Sequence, residues 1–469
     1  MIEKFECKGV WWLPDNPKKQ ILGMLRFVPG EGAVLDLMGS FVELKSTDVS
    51  FEPEVVLGTS SIGKKITLHK CFETKECCST SGFPTSSFYA NIVFIGWHFT
   101  KPENLKFKSF FVNYPYFEEW NKIGVFSHRW ESEEKSKKYE VKYELPEPVE
   151  AKINNSKISF DHDLNIIYDL LREVNLKHTT FIKIEPEDEL HFEEYQSILY
   201  YLQNFLSLAT RRAIYPLSIK ATAEQYKHVS TFSTGKVHHP PIEIFYNVID
   251  KVDLSEKLNH YSMLFTFEDI SGQFETYLQN WFDKAELLKP VYDIFFGTLY
   301  KPSMYLEVQF LSLIQAVESY HRRRFGGKYL SDDDYKEVCD TLVNAIPDSV
   351  EGGLKDSLKS RIGYGNEFSL RTRLRRLFDS DGYREILSEF AENRNAFIGE
   401  VVDTRNYLTH YEGIEKAAIG EELDPFIRKL KILLEICLLT ELGFSTEEIK
   451  KLFPRDGRYQ RESIQWHFS

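Results

Sequence analysis

The chain has 469 residues, more than one hydrophobic core usually serves, so two or three domains are expected. Its 42% hydrophobic and 14% aromatic content belongs to packed structure and excludes a disordered chain. A net charge of -13 and a pI near 5.6 exclude an evenly basic nucleic-acid coat, so any nucleic-acid contact must be local.

The opening Met-Ile-Glu-Lys-Phe-Glu lacks the basic start and apolar stretch of a signal peptide, and no run of about 18 apolar residues follows. A cytoplasmic location is expected. Six cysteines in so long a chain, with Cys339 and Cys437 isolated in helical patterns, read as reduced thiols.

From Gly9 to about Thr100 the pattern predicts short strands: Leu22 to Phe27, Ala33 to Leu37, Phe41 to Leu44, Lys65 to His69 and Phe88 to Trp97. Turn clusters such as Pro14-Asp15-Asn16-Pro17 and Pro29-Gly30-Glu31-Gly32 separate them, the punctuation of an antiparallel sandwich or barrel. Strand-like segments continue through Phe110 to Phe126. The charged run from Glu131 to Glu150, with Pro146 and Pro148, then suggests a connection between subdomains. Past Glu189, Tyr195, Ile198, Leu199, Leu202, Phe205 and Leu206 recur at helical spacing, which predicts one helix inserted in β structure.

Beyond Asp253 helices take over. Leu306, Phe310, Leu313, Ile314, Val317 and Tyr320 line one face of a helix that should end near Gly326-Gly327. Asp424 and Pro425 read as N-cap and first-turn residue of a core helix from Phe426 to Leu442, stopped by Gly443. Ser445 and Glu448 have capping-box spacing for one more short helix. The expected organisation is a β-rich region over residues 1–252, with a candidate subdivision near 131–150, followed by an all-α region over 253–469 with its core at about 300–445.

The segment Arg405-Asn406-Tyr407-Leu408-Thr409-His410 places a permanent cation, an amide and a titratable imidazole within two helical turns. Arg holds a phosphate oxygen bidentately at any pH, and His exchanges protons near neutrality, a combination suited to RNA cleavage without metal. Asn406 and His410 share a helix face, whereas Arg405 and His410 differ by about 140°. Arg405 must therefore wrap around or serve another copy. Two such helices meeting across a two-fold axis would bring both imidazoles and both guanidiniums to one cleft.

The Arg-Asn-x-x-x-His string follows an earlier helix with Leu311-Ser312-Leu313-Ile314-Gln315-Ala316-Val317-Glu318-Ser319-Tyr320-His321, and this region resembles a HEPN ribonuclease domain. Trp11-Trp12-Leu13-Pro14-Asp15-Asn16-Pro17 and Leu57-Gly58-Thr59-Ser60-Ser61-Ile62-Gly63-Lys64-Lys65-Ile66-Thr67-Leu68 resemble the amino-terminal domain of ApeA-type abortive-infection proteins. The resemblance implies antiphage defence by cleavage of host RNA, with tRNA anticodon loops as a candidate target, in a homodimer or larger even assembly without a cofactor. By that resemblance Arg405 would stabilise the charged phosphorane, His410 would act as general base or acid, and Asn406 would orient its partners. The substrate's own 2′-hydroxyl would attack, leaving a 2′,3′-cyclic phosphate and a 5′-hydroxyl. A phage-derived component would release the restraint that such a nuclease needs. Glu318 is a candidate auxiliary carboxylate, with an ion-paired surface Glu as the competing reading.

The basic runs with Arg322, Arg323 and Arg324, and with Arg371, Arg373, Arg375 and Arg376, are candidates for RNA phosphate contact, against solvated helix faces. Gly58 to Lys64 matches most of a P-loop, but Lys65 stands where a Ser or Thr is required and a strand follows instead of a helix. His69, Cys71, Cys77 and Cys78 lack paired zinc-knuckle spacing, and the prolines between His239 and Glu243 keep those two off a shared helix face. The competing functional reading is a catalytically silent helical interaction scaffold joined to an N-terminal ligand-binding module.

Overall fold

The computed structural model describes residues 3–42, 51–77, 84–133, 136–169, 171–229, 237–247, 258–301, 303–388, 393–411, 415 and 417–453. They form two compact units, 1–279 and 280–469. The change to helical structure expected at 252/253 lies outside the described residues.

Six strands open the first unit: β1 (Phe5–Trp12), β2 (Ile21–Val28), β3 (Gly32–Leu37), β4 (Val55–Ser60), β5 (Lys65–Cys77) and β6 (Thr85–Ile95). They pair antiparallel in the circuit β1-β2-β3-β6-β5-β4-β1, so the sheet closes into a barrel and keeps no free edge along that circuit. Alternation of side chains places Leu25, Leu35, Leu68 and Phe88 in its core, with Trp11 fully buried among them. A Cβ on Gly58 would stand 2.2 Å from the Trp11 ring, so glycine there is a condition for the indole to occupy the interior. The partial P-loop match is the turn of the β4–β5 hairpin, closed by Ser60 N–H to Lys64 O and Gly63 N–H to Ser60 O.

The unit continues with β7 (Lys106–Phe107), β8 (Ser109–Asn113), α1 (Phe117–Asn121), β9 (Phe126–Glu133), β10 (Ser136–Tyr143), β11 (Glu150–Ile153), β12 (Ser156–Asp169) and β13 (Glu173–Pro186). After these come β14 (Leu190–His191), α2 (Phe192–Thr210), β15 (Ser218–Thr222), β16 (His228–Val229), β17 (Val237–His238), β18 (Ile242–Tyr246), α3 (Phe267–Ile270) and α4 (Phe274–Asp283), whose last turn lies past the boundary at 279. While the first part of β6 pairs with β3, its last residues pair with β18, which extends the sheet through β15, β8, β13 and β12 to β11. The inserted helix is α2; of its expected apolar positions all but Ile198 are fully buried, and the Tyr195 ring stacks on Phe110 at 3.9 Å.

The charged run read as a connection is largely an antiparallel ribbon, β9 with β10. Its charges alternate with Trp130, Tyr139 and Val141, and Trp130 faces Tyr139 across the strands, a period of two that the density of charge obscures.

The second unit contains α5 (Ala285–Tyr300), α6 (Leu306–Phe325), α7 (Asp332–Asn344), α8 (Gly352–Tyr364), α9 (Leu370–Asp379), α10 (Asp381–Ser388), α11 (Arg394–His410), α12 (Leu423–Leu442) and α13 (Thr446–Leu452). α6 is central: α5, α9, α11 and α12 pack against it. It ends as expected at Gly326 and Gly327, both at positive φ. α12 is buried almost all round and stops at Gly443 in the left-handed region. Asp424 is not its N-cap: a 3₁₀ turn, Gly420–Glu422, leads in, and Asp424 sits in the first turn, ion-paired to Arg428 at 2.8 Å. Ser445 and Glu448 make the expected capping box at α13. α7 and α8 pair with each other and contain no buried residue, and the chain leaves and re-enters the bundle at one place, where Phe368 N–H donates to Gly327 O at 2.9 Å.

Candidate active site

α11 buries Phe397, Ile398, Val401, Thr404 and Leu408, a stripe at helical spacing that fixes its rotation against α6 and α9. That rotation turns Asn406, Thr409 and His410 to solvent and leaves Arg405 half-buried beside the stripe. The Arg405 Nη1 donates to Asn406 Oδ1 at 3.1 Å, and the Thr409 hydroxyl returns to Arg405 O at 2.7 Å. Among the described residues no carboxylate lies within ion-pair distance of Arg405. Such a guanidinium, steadied by a neutral amide, keeps its charge available to an incoming anion. His410 is the last residue of α11, and Tyr411 caps the helix in the left-handed region at φ 58°.

Thr404 anchors this turn from inside, since Ala418 N–H donates to its hydroxyl at 3.0 Å. Asp403 is ion-paired to Arg371 of α9 at 3.5 Å, which ties the second arginine run to the motif helix.

The arginines of the two runs differ sharply in availability. Arg373, expected as a phosphate contact, is instead 1% exposed and closed to RNA: it lies on the apolar stripe of α9 with Leu370, Leu374 and Leu377. Its Nε donates to Phe368 O, its Nη1 to Gly326 O at 2.8 Å and to His321 Nδ1 at 3.2 Å, and Glu318 and Glu367 stand 4.0 Å away. Every side of that cation is occupied by protein. Burial, then the charges of Arg373 and Arg376, push the His321 imidazole down to about 4, so it is neutral and accepts from Arg373.

Glu318 is half-buried and engaged with Arg322 at 3.5 Å as well as with Arg373. Arg322 also meets Glu367 at 2.7 Å. Arg324 is bound to the buried Glu441 at 2.7 Å, in a network with Tyr320 and Tyr383. Arg323 donates to Leu287 O from an exposed position, Arg375 is exposed, and Arg376 lies over the Phe368 ring at 3.8 Å. The Arg373 network escaped the sequence reading although its signal was present: the i, i+3, i+4, i+7 spacing of Leu370, Arg373, Leu374 and Leu377 puts one arginine on the buried face.

His69 is buried with Nδ1 on Glu54 O, and burial pushes the Cys71 thiol upward; the Cys77 side chain and Cys78 lie outside the described residues. Among the described residues no group of three or more His, Cys, Asp or Glu is arranged to hold a metal ion, and no helix is long and apolar enough to cross a membrane.

A helical unit built round α6, with an Arg-x4-His string on the open side of α11, defines the class, and an Apea-like HEPN family model matches residues 311–448. A second model, ApeA N-terminal domain 1, matches residues 6–281, and the chain belongs to that family. No curated protein and no solved structure matches it. At the family level this is the architecture of a defence-type nuclease; HEPN domains are usually ribonucleases, and generally bind RNA and dimerise.

Proposed function

We propose that the protein is a cytoplasmic antiphage endoribonuclease that cuts RNA, with tRNA anticodon loops as the favoured target, at an Arg405–His410 site completed by a second copy. The observation that carries this reading is the solvent-facing end of α11, where Asn406 steadies Arg405 and no carboxylate among the described residues neutralises it. His410 of one copy removes the proton of the substrate 2′-hydroxyl, whose oxygen attacks phosphorus. The P–O5′ bond breaks, and His410 of the other copy protonates the departing oxygen. Arg405 holds the nonbridging oxygens as charge accumulates, and Asn406 keeps the guanidinium in place. The products are a 2′,3′-cyclic phosphate and a 5′-hydroxyl, and the residues named carry every proton without a metal. Glu318 serves this site through the network joining α6 to α9, and Arg323, Arg375 and Arg376 extend the positive surface available to RNA. The β-rich region, residues 1–252, restrains the nuclease until a phage component shifts the population.

Sequencing of RNA ends after induction tests this directly. New cyclic-phosphate ends at few positions, absent with Arg405→Ala and His410→Ala and persisting in extracts with excess EDTA, are expected. Equal RNA degradation and growth arrest by both variants would sink the reading, as would full loss in EDTA that Mg²⁺ restores.

A further inference from the structure

Tyr411 directly follows His410 and is 74% exposed, although tyrosine is a residue that burial rewards. Its backbone sits at φ 58°, ψ 31°, the left-handed position after a helix that glycine or asparagine fills with least strain. The same backbone site at the end of α12 is held by Gly443. Among the described residues no packing accounts for the exposed ring, and capping here comes from the backbone: Tyr411 N–H donates to Tyr407 O. The ring is nonetheless held in place, edge-on to Tyr407 with centroids 5.7 Å apart at 66°. A water-exposed π-system held against Tyr407 thus directly follows His410 along the chain at the open end of α11.

We infer that Tyr411 is a base-stacking residue of the RNA site: a nucleobase next to the scissile phosphate, unstacked from its neighbours, lies on the Tyr411 ring. Unpaired RNA offers such bases and every base has a π-face, whereas a paired helix hides them. This inference rests on the ribonuclease reading above and deepens it, since it selects single-stranded loops over duplex as the substrate class. Tyr411 takes no proton and contacts no reacting atom; it acts on binding and on which base is accepted beside the cut.

The test uses the full-length chain and a short single-stranded RNA oligonucleotide, comparing wild type with Tyr411→Gly, Tyr411→Asn, Tyr411→Phe and Tyr411→Trp, with His410→Ala as the blank. Loss of one aromatic–base stack should raise KM about tenfold in the Gly and Asn variants, with kcat changed less than about threefold, a flattened base preference beside the cut, and a melting temperature no lower than wild type. Phe and Trp should retain the wild-type KM. A purely structural Tyr411 predicts an unchanged KM and base preference with only the melting temperature moved; Gly and Asn variants that cleave with wild-type KM and base preference overturn the inference while leaving the ribonuclease reading intact. Equal losses in Phe and Gly would assign the effect to the phenol hydroxyl and also overturn it. Absence of cleavage by wild type above the His410→Ala blank removes the ribonuclease reading and this inference with it.

Discussion

The α6–α9 interface and the outer face of α11 use the same two residue types in opposite ways. At the interface, Arg373 and His321 are buried and bonded to each other, and the arginine reaches two backbone carbonyls and two nearby carboxylates. On α11, one amide is the side-chain partner of Arg405 among the described residues, and His410 faces water. Residue type therefore says little about role. What separates a structural cation from one left for a ligand is how completely the protein already surrounds it.

Arg373→Ala should show the largest effect, on folding. It removes one of the two arginines facing Glu318 and Glu367, leaving them Arg322, and strands two buried carbonyls, and a loss of about 3 kcal/mol in urea unfolding is expected. An unchanged midpoint would dissolve the contrast between the two regions. Arg405→Ala should do the converse: cleavage falls about 10²–10³-fold, as removal of one transition-state donor does, with the unfolding midpoint unmoved.

A third measurement sharpens the comparison through pH. The folded chain holds His321 neutral, with its pKa lowered from 6.5 to about 4. The unfolded chain takes up that proton first on acidification. The stability is thus fully present above pH 6.5, declines as pH falls, and levels off below about pH 4, a loss of up to about 3 kcal/mol. Urea titrations from pH 7 to 4 should show this slope, and His321→Gln should flatten it relative to wild type. The smallest effect belongs to Asn406→Ala, which frees Arg405 without removing its charge; a loss of about tenfold in cleavage is expected from the misplacement alone, read from initial rates with the melting curve unchanged.

The parts of this chain that were legible in sequence are those fixed by neighbours along it. The apolar period of α2, the Gly443 stop and the Ser445 capping box need only a few adjacent residues, and each stands where those residues place it. Closure of the barrel was open between two architectures because it depends on β6 pairing with β5 along its length and with β3 at one end, contacts that no local pattern encodes. The β9–β10 ribbon was hidden by its charge, and Arg373 by its membership of a basic run. At the motif helix, the spacing of Arg405, Asn406 and His410 set out the candidate groups. Their exposure follows from the buried stripe of α11, and whether Arg405 meets a carboxylate was a question only three dimensions can answer.

The meeting of Gly327 with Phe368 has one more consequence. Because the two ends of the α7–α8 excursion touch, and neither helix lends a side chain to the core, this stretch is a detachable module: evolution can lengthen, shorten or replace it without disturbing the bundle, and a reporter can be spliced there while the nuclease fold below stays whole.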